Sequence, residues 1–227
     1  DLKFHDITNT VKMACANAIK KNVFMFNIHC SNGSKTMKEV AELVKENGSE
    51  SLLIGVTVLT NLGEDDLQEM FRSSMKLEEV VFNLANLAKK SGMDGVVCSP
   101  QESRKIKEMS GADFITVCPG VRPKFTLNAD NKSNDDQTRI MTPFDAIKEG
   151  VDFLVVGRPI TKAEDPVKAT EMILDEISEA LEKNHHLVVD KKAFDFAHTI
   201  KATGIYEVDV KLGHAVRATL KLDVEGE

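Results

Sequence analysis

The sequence predicts an α/β protein: a (β/α)8 barrel of the TIM type in which six strands are legible, followed by a small α+β tail. Three observations carry this. Short apolar runs alternate with amphipathic helical stretches from Lys3 to about Leu181, the order of a parallel sheet. Polar and glycine-containing segments gather just after those runs, on the side where barrels of this kind carry their sites. Neither G-x-G-x-x-G nor G-x-x-x-x-G-K-[ST] is present to favour a doubly wound open sheet.

Lys3 ends the first strand, and Asp6, Thr8, Asn9 and Thr10 are expected in the loop that follows. Val11, Ala14, Cys15, Ala18 and Ile19 recur on one face and predict a helix over 11–21. A buried strand over 23–28 closes on His29, and a helix runs over 37–45. The strand over 52–58 closes on Leu59-Thr60-Asn61, and Val80, Leu84 and Leu87 mark a long helix over 77–91. Next come a strand over 95–98, a helix over 101–109 and a strand over 114–117 with its exit at Cys118 to Pro123. Residues 124–138 are polar without apolar periodicity; a loop of that length is expected to be functional or disordered. Thr142 caps a helix to Ile147 with Pro143 in its first position. The last strand covers 153–156, exits through Gly157 to Thr161, and precedes a helix from Pro166 that continues to Lys183.

Composition narrows the function classes. A hydrophobic fraction of 42% without an apolar run of spanning length excludes a helical membrane protein, and a net charge of -7 argues against a protein that coats nucleic acid. Cys15, Cys30, Cys98 and Cys118 lie far apart with no C-x-x-C spacing, so free thiols in a reducing cytoplasm are expected. His185-His186 has no third ligand nearby in sequence, and no metal site is expected. The chain opens on Asp1 rather than Met without a signal peptide, so residues ahead of it are expected.

The most informative stretch is the first. Asp1 and Lys3 share a strand face, and Asp6 follows in the exit loop. Acid, base and acid at one strand end is unusual, because buried charge is costly unless paired; the plain alternative is a surface salt bridge. Asp-x-Lys-x-x-Asp-Ile resembles the mark of the orotidine 5'-monophosphate decarboxylase family. The likeness extends in order through Asn27-Ile28-His29 with Ser31 and Gly33, Val56 to Thr60, and Pro119 to Pro123. It continues in Asp136-Gln137-x-Arg139 to Pro143 and Val155 to Thr161, so that it covers residues 1–176. Thr8 stands where the family usually has Pro, and Cys118 where it usually has Thr.

The resemblance implies that the six strands are strands three to eight of the barrel. It makes Lys3 the proton donor, with Asp1 and Asp6 its neighbouring carboxylates and Asp6 reaching the partner's site in a homodimer. It puts Thr10, Thr60, Arg122, Gln137, Gly157 and Arg158 on substrate-binding positions for orotidine 5'-monophosphate, with no metal or organic cofactor. Residue types agree with that chemistry. Loss of CO2 leaves a carbanion that the ring's π system does not support, and a Lys held between carboxylates supplies a fixed charge and a proton. His5 and His29 are expected to be hydrogen-bonded structural residues. An Asp and a Lys of the family's site belong to its first two strands, so the 227 residues alone are expected to show little or no activity.

From residue 177 the pattern changes, and a second unit, 177–227, is expected. A short strand near 187–190 precedes two alternating segments, 206–212 and 216–224, that predict an antiparallel hairpin across Gly213-His214. Val189-Asp190-Lys191-Lys192, Ile200-Lys201-x-x-Gly204-x-Tyr206-Glu207-Val208 and Ala218-Thr219-Leu220-Lys221 resemble the C-terminal domain of bacterial ribosomal large-subunit protein nine. Asp and Glu outnumber Lys and Arg from Ser178 onward, so an appendage without rRNA contact is favoured. Two other functions compete: a Mg2+-using sugar-phosphate enzyme of the same suprafamily, and a ribosome-associated binding protein acting through the tail.

Overall fold

The computed structural model describes residues 2–72, 74–127, 139–187, 194–196, 204–211 and 217–224. Within them β1 (Lys3–Phe4), β2 (Met25–His29), β3 (Leu52–Val56), β4 (Gly95–Val97), β5 (Ile115–Cys118) and β6 (Phe153–Leu154) form one parallel sheet in chain order. The connections carry α1 (Thr8–Lys20), α2 (Gly33–Glu46), α3 (Glu64–Phe71), α4 (Leu77–Lys90), α5 (Pro100–Ser110), α6 (Lys124–Leu127) and α7 (Pro143–Lys148). After β6 come α8 (Arg158–Thr161) and α9 (Pro166–His185). β1 and β6 end the order without pairing to each other, so among the described residues the barrel is open, as the sequence predicts.

Because side chains alternate along a strand, register sorts the sheet into two faces. Phe26, Ile28, Leu53, Val96 and Cys118 turn to the helices and join Val11, Cys15, Val40, Ala85 and Ile106 in the main core. The opposite face carries one row of partners, Lys3, Asn27, Ile54, Gly95 and Ile115. The next row is His29, Val56, Val97, Val117 and Phe153. That inner face is apolar at its centre and only half-buried at Met25, Leu52, Ile115, Phe153 and Val155. Lys3, Asn27 and His29 are its polar members on the β1–β2 side.

Helix starts are written in the sequence. Ser99-Pro100, Thr142-Pro143 and Asp165-Pro166 each place an oxygen-bearing cap before a proline that needs no N–H partner. Strand entries repeat a second device. Gly92 and Gly150 end their helical segments at φ 82° and 78°, a left-handed conformation that suits glycine. Two residues later Asp94 accepts the Leu53 amide at 2.8 Å, and Asp152 accepts the Thr116 amide at 2.7 Å. Each carboxylate thereby locks the register of a strand against its neighbour.

Several expectations need correction. The helix after β1 begins at Thr8, so Thr8, Asn9 and Thr10 form its first turn rather than a loop. Thr8 takes part in the packing there, its hydroxyl 2.9 Å from that of Thr36 on α2. α3 was not legible: it is short, only Leu67 is buried, and its acidic first turn, Glu64 to Asp66, shows no periodicity. α6 and α8 have four residues each, too few for a helical pattern, and both fall in segments read as loops. β3 and β6 end at Val56 and Leu154, two residues earlier than expected.

In the tail, β7 (Phe194–Phe196), β8 (Gly204–Lys211) and β9 (Arg217–Val224) form an antiparallel sheet in that order. The predicted hairpin is β8–β9, with Val208 opposite Leu220; the sequence does not announce β7, and of the strand expected over 187–190, Leu187 is in no strand while 188–190 lie outside the described residues.

Candidate active site

Of the residues singled out from sequence, Lys3, Asp6, Thr60, Arg122, Gly157 and Arg158 lie on the parallel strands or in the segments that follow them. Lys3 lies on β1 in register with buried Asn27 of β2, exposed and on the inner face. Two residues on from Asn27, the His29 ring stacks on His5 with centroids 4.7 Å apart and planes 19° from parallel. His5 Nε2 lies 3.1 Å from Ser31 Oγ, in keeping with the structural role expected of it. Burial, then the neighbouring His5 and Lys3, push the His29 imidazole below its ordinary value. Asn32, which sequence reasoning passed over, fixes the exit of β1: its amide donates to the Phe4 carbonyl at 3.0 Å, and its Oδ1 accepts the Asp6 amide at 3.2 Å. The Asp6 carboxylate is exposed and accepts the Ile7 amide at 2.6 Å, at the entry to α1.

Across the sheet, Thr57 donates from its hydroxyl to the Val97 carbonyl at 2.8 Å, which carries the exit of β3 toward β4 and leads to buried Thr60. Arg122 is 8% exposed beyond β5; its amide donates to the Met141 carbonyl at 2.8 Å, and its Nη1 to the Val121 carbonyl at 3.0 Å. Glu176 on α9 accepts the Lys124 amide at 2.7 Å, just beyond the same exit. Gly157 precedes α8, its carbonyl taking the Ile160 amide at 2.9 Å, and half-buried Arg158 is the first residue of that helix.

One ion pair joins these loops: Arg139 belongs to the Asp136-Gln137-x-Arg139 motif, whereas its partner Glu102 lies in no motif of the sequence. Arg139 Nη1 donates to Glu102 Oε1, and its Nη2 donates to the Leu59 carbonyl at 3.2 Å. Glu102 is the third residue of α5, and its other oxygen accepts the Ser99 amide at 2.8 Å. Burial pushes the Glu102 carboxyl above its ordinary range, against the pull of Arg139. Removing one partner of such a buried pair costs about 3–5 kcal/mol.

Not every predicted position joins the cluster. Thr10 is exposed in the first turn of α1 rather than in a strand-end loop. Asp1 and Gln137 lie outside the described residues. All four cysteines are free and buried, and burial pushes the Cys15 and Cys30 thiols up to about 12. Cys98 and Cys118 lie 3.7 Å apart, sulfur to sulfur. Among the described residues no group of three or more His, Cys, Asp or Glu is arranged to hold a metal ion. None of their helices is long and apolar enough to cross a membrane.

Parallel strands in chain order, helices on one face and polar side chains collected beyond the strands' carboxyl ends define a member of the (β/α)-barrel class. The chain belongs to the orotidine 5'-phosphate decarboxylase / HUMPS family, whose model matches residues 1–173. Its relatives include the orotidine 5'-phosphate decarboxylase of Saccharophagus degradans, 47% identical over 79% of this chain and 73% of that one. That of Gloeothece citriformis is 40% identical over 79% and 75%. A solved orotidine 5'-phosphate decarboxylase from Lactobacillus acidophilus matches with a TM-score of 0.65 at 36% identity, over 78% of this chain and 73% of that one. A second model, ribosomal protein L9, C-terminal domain, matches residues 173–226 and so begins inside α9.

Proposed function

We propose that the protein is an enzyme that decarboxylates orotidine 5'-monophosphate to UMP, in pyrimidine synthesis in the cytoplasm. The observation that carries the reading is the inner row that begins at Lys3: a cation on the inner face, beside Asn27 and His29, in a chain of this family. In this mechanism the Lys3 ammonium stabilises the charge that develops at carbon six as CO2 departs, and then delivers its proton there. Asp1 and Asp6 hold the ammonium charged and in place, Asp6 from across a homodimer. Thr10, Thr60 and Arg122 bind the nucleotide. Gly157, Arg158 and Gln137 take its phosphate, the guanidinium offering a fork to the anion. No metal or organic cofactor enters the mechanism. Residues 1–176 form the catalytic unit and 177–227 an appendage; acidic residues outnumber basic ones there, which speaks against rRNA contact.

Calorimetry tests the phosphate half of this reading and CO2 release the catalytic half. UMP is expected to bind more tightly than uridine, by about tenfold or more, and Arg158→Ala to erase the difference. CO2 release from orotidine 5'-monophosphate, however slow in the chain alone, is expected to vanish in Lys3→Ala. Equal binding of UMP and uridine overturns the assignment of Arg158, and failure to bind UMP overturns the function.

A further inference from the structure

Arg139 ties together three loops that approach one another only in the folded sheet. Its guanidinium reaches Glu102 at the start of α5, after β4, and the Leu59 carbonyl after β3. Two residues further on, Met141 clasps the exit of β5 from both sides. Its amide donates to the Gly120 carbonyl at 3.2 Å, and its carbonyl accepts the Arg122 amide at 2.8 Å. Leu59 adjoins Thr60, so the pair spans the ground between two residues assigned to the nucleotide. The side chains are 12% and 8% exposed, which desolvates the charges and fixes their geometry. A lysine would offer a point charge in place of the planar fork that serves both acceptors.

We propose that Arg139 and Glu102 are positioning residues, which set the spacing of Thr60 and Arg122 without touching the substrate. The inference rests on the reading that Thr60 and Arg122 hold nucleotide. A second ion pair of the same sheet supplies the control. Lys107 and Asp152 lie 2.8 Å apart at the amino ends of β5 and β6, and Lys107 also donates to the Ala112 and Phe114 carbonyls. That pair stitches strands and touches none of the loops named above.

The experiment measures UMP affinity in the full chain and in Arg139→Lys, Glu102→Gln, Lys107→Met and Arg158→Ala, well below each variant's Tm. Arg139→Lys and Glu102→Gln are expected to weaken UMP by about tenfold or more, and Lys107→Met by less than about twofold despite a comparable loss of Tm. Hydrogen exchange at the Arg122 amide should quicken in the first two and not in Lys107→Met. Either of the first two variants is sufficient, so one that fails to fold leaves the other to decide. Affinity within about twofold of the unaltered chain in both, with Arg158→Ala weakened, overturns the positioning role and leaves the site reading intact. If the unaltered chain does not bind UMP, or Arg158→Ala binds it equally, the site reading fails and the inference falls with it.

Discussion

At the amino ends of the strands, polar side chains are used on backbone: Asp94 on the Leu53 amide, Asp152 on the Thr116 amide, Ser51 on the Val23 carbonyl, Lys107 on the Ala112 and Phe114 carbonyls. At the carboxyl ends, Lys3, Thr60, Arg122, Arg139 and Arg158 come from segments far apart in the chain, and the bonds of Arg139 join the segments that follow the strands rather than the strands themselves. The difference teaches where a parallel sheet keeps its freedom. Register is fixed from below by Ser51, Asp94 and Asp152, each next in sequence to a strand, and by Lys107 from α5. The loops above can then diverge without loss of register.

Substitutions at the two ends test that division. The largest effect is expected at Lys3: in a form of the protein that also carries the family's first two strands, Ala should lower the rate of UMP formation by several orders of magnitude while leaving Tm nearly unchanged. A loss smaller than about tenfold, or about 1.4 kcal/mol, would remove Lys3 from the proton-donor role. Next comes Gly95→Ala, in the middle of the inner row. A Cβ there would stand 2.2 Å from the Ile115 carbonyl oxygen and 2.6 Å from the Ile115 Cβ, so β4 and β5 must part. A loss of about 3 kcal/mol by chemical denaturation is expected, and unchanged stability would show that the sheet yields there.

Asp152→Asn at the amino ends should be milder, about 1–2 kcal/mol, because Lys107 loses its charged partner while the Thr116 amide can keep an oxygen acceptor. Its UMP affinity should match that of the unaltered chain; a parallel fall in affinity would blur the distinction between the ends. The smallest effect is a pH dependence at His29. Its folded pKa lies below the ordinary 6.5, so the folded state resists the proton that the unfolded chain accepts. Its contribution to stability is therefore complete above 6.5 and lost as pH falls below that value toward the folded pKa. His29→Gln should flatten the fall in Tm over that window, and identical slopes would show that the ring is not held neutral.

Sequence by itself determined the order of the parallel strands, the capped helix start at Thr142 and the β8–β9 hairpin. Each is local: a period of two, a cap followed by proline, or alternating faces read within one stretch. It also offered Lys3, Arg122 and Arg158 as candidate site residues, through the family resemblance that their motifs carry. Only tertiary structure decided that α3 is a helix, since the burial of Leu67 gives that acidic segment its support. Only tertiary structure joined Arg139 to Glu102 and Leu59, because those positions acquire a common neighbourhood when β3, β4 and β5 lie side by side. A partner's identity in a buried ion pair depends on what else excludes water there, and neighbours in the chain do not contain that information.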